Sequence, residues 1–370
     1  MPGPRDGWQA SSDVQTTVTR RRRPTVDGIR IDGVQLVPWR RRLTVADGRN
    51  TWNERSGWLV VVEREGVRGI GEASPLPGYA SAMDVDAARR AAIRFALETA
   101  VLDAEARKRG IRFANLIADA AMALVPVNAV VNSVDGALAA AARGIPALKV
   151  KVGADHARTV ALLRAIREAL PAVALRVDAN QTWPLDEVER RLSAMTELRL
   201  EYVEEPAVGL APRLAAGLPV PIALDESLAS PDRDDWLDRA LASGAVGAIV
   251  LKPTVLGGIE ACRRLAGRAR AHGVVVNVTH TLEGPVAHAA CAELARALSL
   301  HGAVGLVAMR SWRRGRFPCR SSRATRSSLP SARASRSTST RRSRRRRRRS
   351  RRDVRGAAPG RARQRVSLMP

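Results

Sequence analysis

Ionisable residues recur at the ends of short apolar runs through the middle of the chain, and their spacing leaves few folds open. Lys151 of LKVKVG is followed by Asp178 of VDAN after 27 positions, Glu204 of EYVEEP after 26 more, Asp225 of LDES after 21 and Lys252 of VLKP after 27. One strand, one helix and two loops fill such an interval, so the pattern predicts successive βα units. Eight apolar runs fit the scheme: residues 125–132, 146–152, 173–180, 200–206, 220–227, 246–253, 273–280 and 301–306. Eight strands with seven helical segments between them argue for an α/β fold, a (β/α)7β TIM-type barrel over residues 126–306, rather than an open doubly wound sheet. In such a barrel the functional groups gather at the C-terminal ends of the strands.

Local punctuation agrees. Asp155 can cap a helix with Val160, Leu163, Ile166 and Leu170 on one face, stopped by Pro171, and Ser230-Pro231 opens another that closes at Gly244. Residues 26–125 read differently. IRIDGVQLV and WLVVVEREG, with turns expected at Asp47-Gly48 and Arg68-Gly69, make an antiparallel meander. The Gly/Pro-rich GEASPLPGY (71–79) reads as a loop, and Ala-rich helical text follows from Met83 to about Arg109, with Gly110 as its C-cap. We therefore place an α+β unit before the barrel, with a boundary near Pro126, and read residues 1–25 as a disordered leader.

Charge is unevenly distributed. From Arg310 onward there are 23 arginines against one acid, Asp353, so this stretch carries 22 of the 26 net positive charges. The rest of the chain is nearly neutral, which excludes a nucleic-acid-binding reading of its folded part. Residues 307–370 are Arg/Ser/Ala low complexity and read as a disordered tail. It is either a basic tail that binds polyanions or the product of a shifted reading frame in GC-rich DNA. Cys262, Cys291 and Cys319 form no CxxC pair, so neither a disulfide framework nor a zinc site is expected. No apolar leader or long apolar run occurs, and a cytoplasmic protein is expected.

In LKVKVG the two-residue period puts Lys149 and Lys151 on one strand face. Inside a barrel, inward lysines are tolerable only at the open end, beside a ligand or counter-charge. A single acid at a strand end is commonly a helix N-cap, but Asp178, Glu204 and Asp225 on consecutive strands would repel one another in a barrel mouth. A divalent cation relieves that repulsion, and an all-oxygen site favours Mg2+ or Mn2+ over zinc. Asn180, Glu205 and Glu226 lie where they can orient these ligands. Lys252 and Lys151 bracket the metal, where a partly desolvated amine can act as a base on the α-proton of a carboxylate substrate. The lone histidines, His280 among them, read as packing or loop residues.

The ordered series KxK, DAN, EEP, DES, LKP resembles the enolase superfamily and its muconate-lactonizing subgroup. Within that subgroup GEASPLPGY, LKPTVLGG and THTLEGPVAHAACAELARAL resemble the o-succinylbenzoate synthase family. Lysine bases beside Mg2+ are an established pattern of that superfamily and come with the resemblance. The resemblance spans about residues 29–306. It implies that residues 26–125 form a capping domain, that Asp178, Glu204 and Asp225 bind Mg2+, and that Lys151 and Lys252 are the catalytic pair. Lys151 would take the α-proton and return it to the departing hydroxide, and Lys252 would stabilise the enediolate. The implied reaction is a syn dehydration giving 2-succinylbenzoate in menaquinone biosynthesis. Residues 77–79 and 281–284 would line the substrate's succinyl side. An N-acylamino acid racemase or dipeptide epimerase would use the same two lysines from opposite faces. A polyanion-binding protein acting through the tail is the reading from another class.

Overall fold

Two long strands and one alanine-lined helix set the architecture that precedes the barrel. The computed structural model describes residues 25–26, 29–30, 32–46, 51–76, 78–79, 84–152, 155–300 and 302–306. These belong to one unit, Met1–Pro318; the second, Cys319–Pro370, lies outside the described residues, as do nearly all of the leader and all of the tail. Strands β1 (Thr25–Val26) and β2 (Ile29–Arg30) form a small antiparallel pair. Strands β3 (Gly33–Ala46), β4 (Thr51–Arg64) and β5 (Val67–Ala73) form an antiparallel sheet in that order.

The β4–β5 turn falls at Glu65-Gly66, with φ of 50° and 77°, not at the expected Arg68-Gly69. Two consecutive left-handed residues match the twist of a tight hairpin. Gly69 is instead inside β5, where helix α1 (Val85–Arg109) presses on the strand. A Cβ on Gly69 would lie 1.9 Å from the Ala100 carbonyl oxygen, and one on Gly71 1.8 Å from that of Ala96. Buried Ala92, Ala96, Ala100 and Ala104, four residues apart, form the helix face that allows this approach. Asp84 caps α1 by accepting from the Ala87 N–H at 2.6 Å, and Gly110 closes it at φ 65°. Asp47 and Gly48 lie outside the described residues.

After the short α2 (Phe113–Ile117), the chain alternates. Strands β6 (Asn128–Val131), β7 (Ala147–Lys151), β8 (Ala174–Asp178), β9 (Tyr202–Glu204), β10 (Ile222–Leu224), β11 (Val246–Leu251) and β12 (Val275–Val278) are parallel and lie side by side in sequence order. Helices α3 (Val134–Ala141), α4 (His156–Ala169), α5 (Val188–Ser193), α6 (Arg233–Ala242), α7 (Pro253–Leu256), α8 (Ile259–Ala271) and α9 (Pro285–Ala297) connect them. Between β9 and β10 there is only a 3₁₀ turn, Ala211–Arg213, where the repeat predicts a helix; the 21-residue interval to Asp225 is the shortest of the series. Helix α6 begins at Arg233, two residues beyond the expected Pro231. Ser230 turns its hydroxyl to Asp232, and its carbonyl accepts the Arg233 N–H at 3.2 Å.

The eighth strand is reduced to two bridges, yet these join the edges of the curled sheet. Val304 bridges Val127 of the first strand's approach, and Gly305 bridges Thr279 just past β12. Hydrogen bonds from Asn128 N–H to the Val304 carbonyl (2.9 Å) and from Gly305 N–H to that of Val278 (3.0 Å) hold them. Leu148, Val150, Leu175 and Val177 point outward into the core beneath the helices, with Leu163 and Ile166 of α4. No helix among the described residues is long and apolar enough to cross a membrane.

Candidate active site

Register brings the strand-end residues to one level. Lys151 pairs with Asp178 across β7 and β8, and Asp178 with Glu204 across β8 and β9. Asp225 follows β10 directly, and Lys252 follows β11. The three acids are 3%, 1% and 4% exposed. Lys149, two residues before Lys151 on the same face, lies one pair deeper; its Nζ is 2.8 Å from both Asp178 Oδ2 and Glu204 Oε1. Lys151 Nζ donates to Asn180 Oδ1 at 3.1 Å. Lys252 Nζ is ion-paired with Asp225 Oδ2 and hydrogen-bonded to the Tyr79 hydroxyl, which itself donates to Asp225 Oδ2 at 2.9 Å.

A second row of polar groups holds the acids. Glu205, at φ 40°, accepts from the Asp225 and Ser227 N–H groups at 3.0 and 3.1 Å through Oε1, and from Gln181 Nε2 at 3.0 Å through Oε2. Asn180, at φ 43°, donates its N–H to Asp178 Oδ1 at 3.1 Å and its amide to Glu226 Oε1 at 3.3 Å. Such left-handed backbone is uncommon for residues other than glycine, and it clusters here at the strand ends.

Acids outnumber cations in this space, and the proton affinities follow. Burial pushes Asp225 and Glu226 well above the usual carboxylate range, reinforced for Asp225 by Glu226 and Glu204 and for Glu226 by Glu205 and Asp178. Burial also raises Glu204, since Lys149 offsets it only in part. Burial acts the same way on Asp178, but Lys149 and Lys151 outweigh it and hold that carboxyl low. Burial disfavours the Lys149 ammonium, yet Asp178 and Glu204 win and raise it well above its ordinary value. Lys149 is therefore a fixed counter-ion, unsuited to taking up a proton. Among the described residues no group of three or more His, Cys, Asp or Glu side chains is drawn together as a metal cage. Ammonium nitrogens stand among the carboxylates instead.

Periodicity along the chain does not single out Tyr79's contacts or the Thr254–Glu283–Thr281 set. Residues 71–73 of GEASPLPGY lie in β5 and not in the expected loop, which is confined to the residues after Ala73. Tyr79 ends it in an apolar cluster with Leu76 and Val255, against which Trp52, Ala229 and Leu282 pack, and Lys252 Nζ is 4.3 Å from its ring centre. Pro77 lies outside the described residues. Glu283 accepts from Thr254 Oγ1 at 2.6 Å and from the Thr281 N–H at 2.5 Å. Nearby His280 accepts the Leu282 N–H at Nδ1 (3.1 Å), and burial lowers its pKa to about 4, so it is neutral.

The family model described as Enolase C-terminal domain-like matches residues 132–317, half of the chain. The o-succinylbenzoate synthase of Thermobifida fusca (strain YX) is 37% identical over 196 residues, 50% of this chain and 60% of that protein. That of Edwardsiella ictaluri (strain 93-146) is 29% identical over 283 residues, 70% of this chain and 86% of that protein. The chain thus spans about three fifths of the Thermobifida relative's length. The L-Ala-D/L-Glu epimerase from Bacillus subtilis shares the fold, with a TM-score of 0.65 at 22% identity over 75% of this chain and 90% of that one. The muconate lactonizing enzyme from Pseudomonas putida gives 0.62 at 21% identity over 75% and 87%. With a parallel curled sheet, an antiparallel sheet before it and a family match over half its length, the chain belongs to the enolase superfamily, in the family described as Enolase C-terminal domain-like.

Proposed function

We propose that the protein is a metal-dependent carbon–oxygen lyase that dehydrates 2-succinyl-6-hydroxy-2,4-cyclohexadiene-1-carboxylate to 2-succinylbenzoate, a step of menaquinone biosynthesis in the cytoplasm. The carrying observation is the pair Lys151 and Lys252, set at the ends of β7 and β11 on either side of three buried acids. The relatives named o-succinylbenzoate synthase support the choice of reaction. Residues 26–125 are proposed as a cap over the barrel at 126–306, with Tyr79 reaching from one to the other.

Asp178, Glu204 and Asp225 suit Mg2+, or Mn2+, on the chemistry of their donors. All are hard carboxylate oxygens, two of them already share one cation at 2.8 Å, and the acids exceed the cations. A bound metal would neutralise the substrate's carboxylate. Lys151, as the free amine, removes the α-proton, and the C–H pair moves toward the carboxylate. The pair then returns to form the new ring C=C bond as the C–O bond breaks, and Lys151 gives its proton to the hydroxide leaving on the same face, so water departs and the ring becomes aromatic. Lys252, as an ammonium, balances negative charge developing on the carboxylate oxygens from the opposite side. Lys149 keeps Asp178 and Glu204 together throughout.

A second reading, N-acylamino acid racemase or dipeptide epimerase, is favoured by the placement of two lysines on opposite sides and by dipeptide epimerases among structures of this fold, one complexed with Mg at 25% identity and a TM-score of 0.61. The full chain is assayed with Mg2+ against the cyclohexadiene carboxylate, an N-succinylamino acid and a dipeptide, alongside K151A and K252A. Dehydration lost by about a thousandfold or more in both variants supports the lyase. Racemisation without dehydration overturns it.

A further inference from the structure

Two charged side chains of the antiparallel sheet, neither of them among the acids and lysines of the candidate site, are buried against the barrel. Arg55 of β4 is 3% exposed, and Glu72 of β5 is 1% exposed. Arg55 spends its fork of donors on three carbonyls: Nε on Leu282 at 3.0 Å, Nη1 on Pro75 at 3.0 Å and Nη2 on Ser74 at 2.9 Å. Glu72 accepts from the N–H groups of Gly284 (2.6 Å), Val286 and Ala287 (3.1 Å each), capping the start of α9. A Cβ on Gly284 would lie 2.6 Å from either Glu72 oxygen, so the carboxyl and the glycine fit each other.

The carbonyls that Arg55 holds belong to the two segments bordering Lys252. Ser74 and Pro75 begin the loop that carries Tyr79 to Lys252 and Asp225. Leu282 stands at φ 59°, a conformation that persists in a leucine only where the surroundings impose it. Its side chain packs with Tyr79 and Val255, and its neighbour Glu283 is tied to Thr254, two residues beyond Lys252. A planar guanidinium can serve three carbonyls in divergent directions, whereas an ammonium on a flexible stem cannot hold the same geometry.

We propose that Arg55 is a positioning residue that fixes the two segments bordering Lys252, Ser74 and Pro75 ahead of Tyr79 on one side and residues 281–284 on the other, with Glu72 as the second anchor, and so determines which substrates fit beside Lys252. The kinetic part rests on the proposed reaction; the structural part does not. The test is hydrogen exchange by mass spectrometry on the full chain, with kinetics on the same samples. In R55K, exchange at residues 281–288 should rise about tenfold or more while that of α4 stays unchanged, and KM should rise about tenfold with kcat changing less than about twofold. E72Q, which keeps the shape and one acceptor oxygen, should loosen residues 284–288 alone and serves if R55K does not fold. Wild-type protection at 281–288 in the folded variants, or loosening of α4 to the same extent, overturns the proposal. If the wild type turns over none of the three substrates, the lyase reading falls and the exchange data judge the anchor by themselves.

Discussion

Replacing Glu72 by glutamine isolates the cost of ionising a carboxyl inside the contact between sheet and barrel. Burial pushes Glu72 from 4.5 up to about 7, although Ser74 and the Ala287 and Gly284 N–H groups favour the charged form. The folded state therefore holds the proton more tightly than the unfolded chain. Its contribution is fully present below the unfolded value of 4.5 and is lost as pH rises through about 7. Integrating that difference between about pH 5 and about pH 8 gives a loss of about 2.5 kcal/mol. Glutamine cannot ionise, so the stability of E72Q relative to wild type should rise by that amount over the same window. Urea unfolding of both proteins at the two pH values, followed by tryptophan fluorescence and by circular dichroism, measures it. Other titrating groups cancel in the comparison between proteins. Parallel pH profiles, differing by less than about 0.5 kcal/mol, would refute the reasoning and mean that the capping N–H groups fully offset burial.

Gly71→Ala would drive a Cβ to 1.8 Å from the Ala96 carbonyl oxygen and should cost about 3 kcal/mol or more, against about 1 kcal/mol for Gly66→Ala, which strains a turn with open space around it. Thermal melts of the two variants check the order, and an equal loss removes the close-packing argument. Tyr79→Phe keeps the ring but deletes the donor to Asp225. It should lower kcat/KM about tenfold with the melting temperature little changed; an unaltered kcat/KM would leave the hydroxyl without a role.

Much of the barrel is legible along the chain because a parallel strand buried on its outer face and lined on its inner face imposes a fixed repeat. Asp178 and Glu204 end their strands where the spacing puts them, and Asp155 and Gly110 cap the helices that their positions predict. The missing helix between β9 and β10 is also latent in the numbers, since its interval is the shortest. The β4–β5 turn is misplaced by a reading of glycines alone, because glycine serves both turns and close packing. Gly66 takes the first role and Gly69 the second, and only the position of α1 distinguishes them.

Which residues end the strands, which strand faces are hydrophobic and how many acids and lysines are available all follow from the chain read as text. Those properties are local, being set by side-chain alternation and chain length. Packing, not pattern, makes Lys149 the counter-ion shared by Asp178 and Glu204 while Lys151 faces Asn180, because a two-residue offset becomes a difference in depth only when neighbouring strands are in register. Packing also brings Tyr79 to Asp225 across 146 positions and Arg55 to Leu282 across 227. Such contacts depend on how the sheet lies against the barrel, and no periodicity along the chain records that.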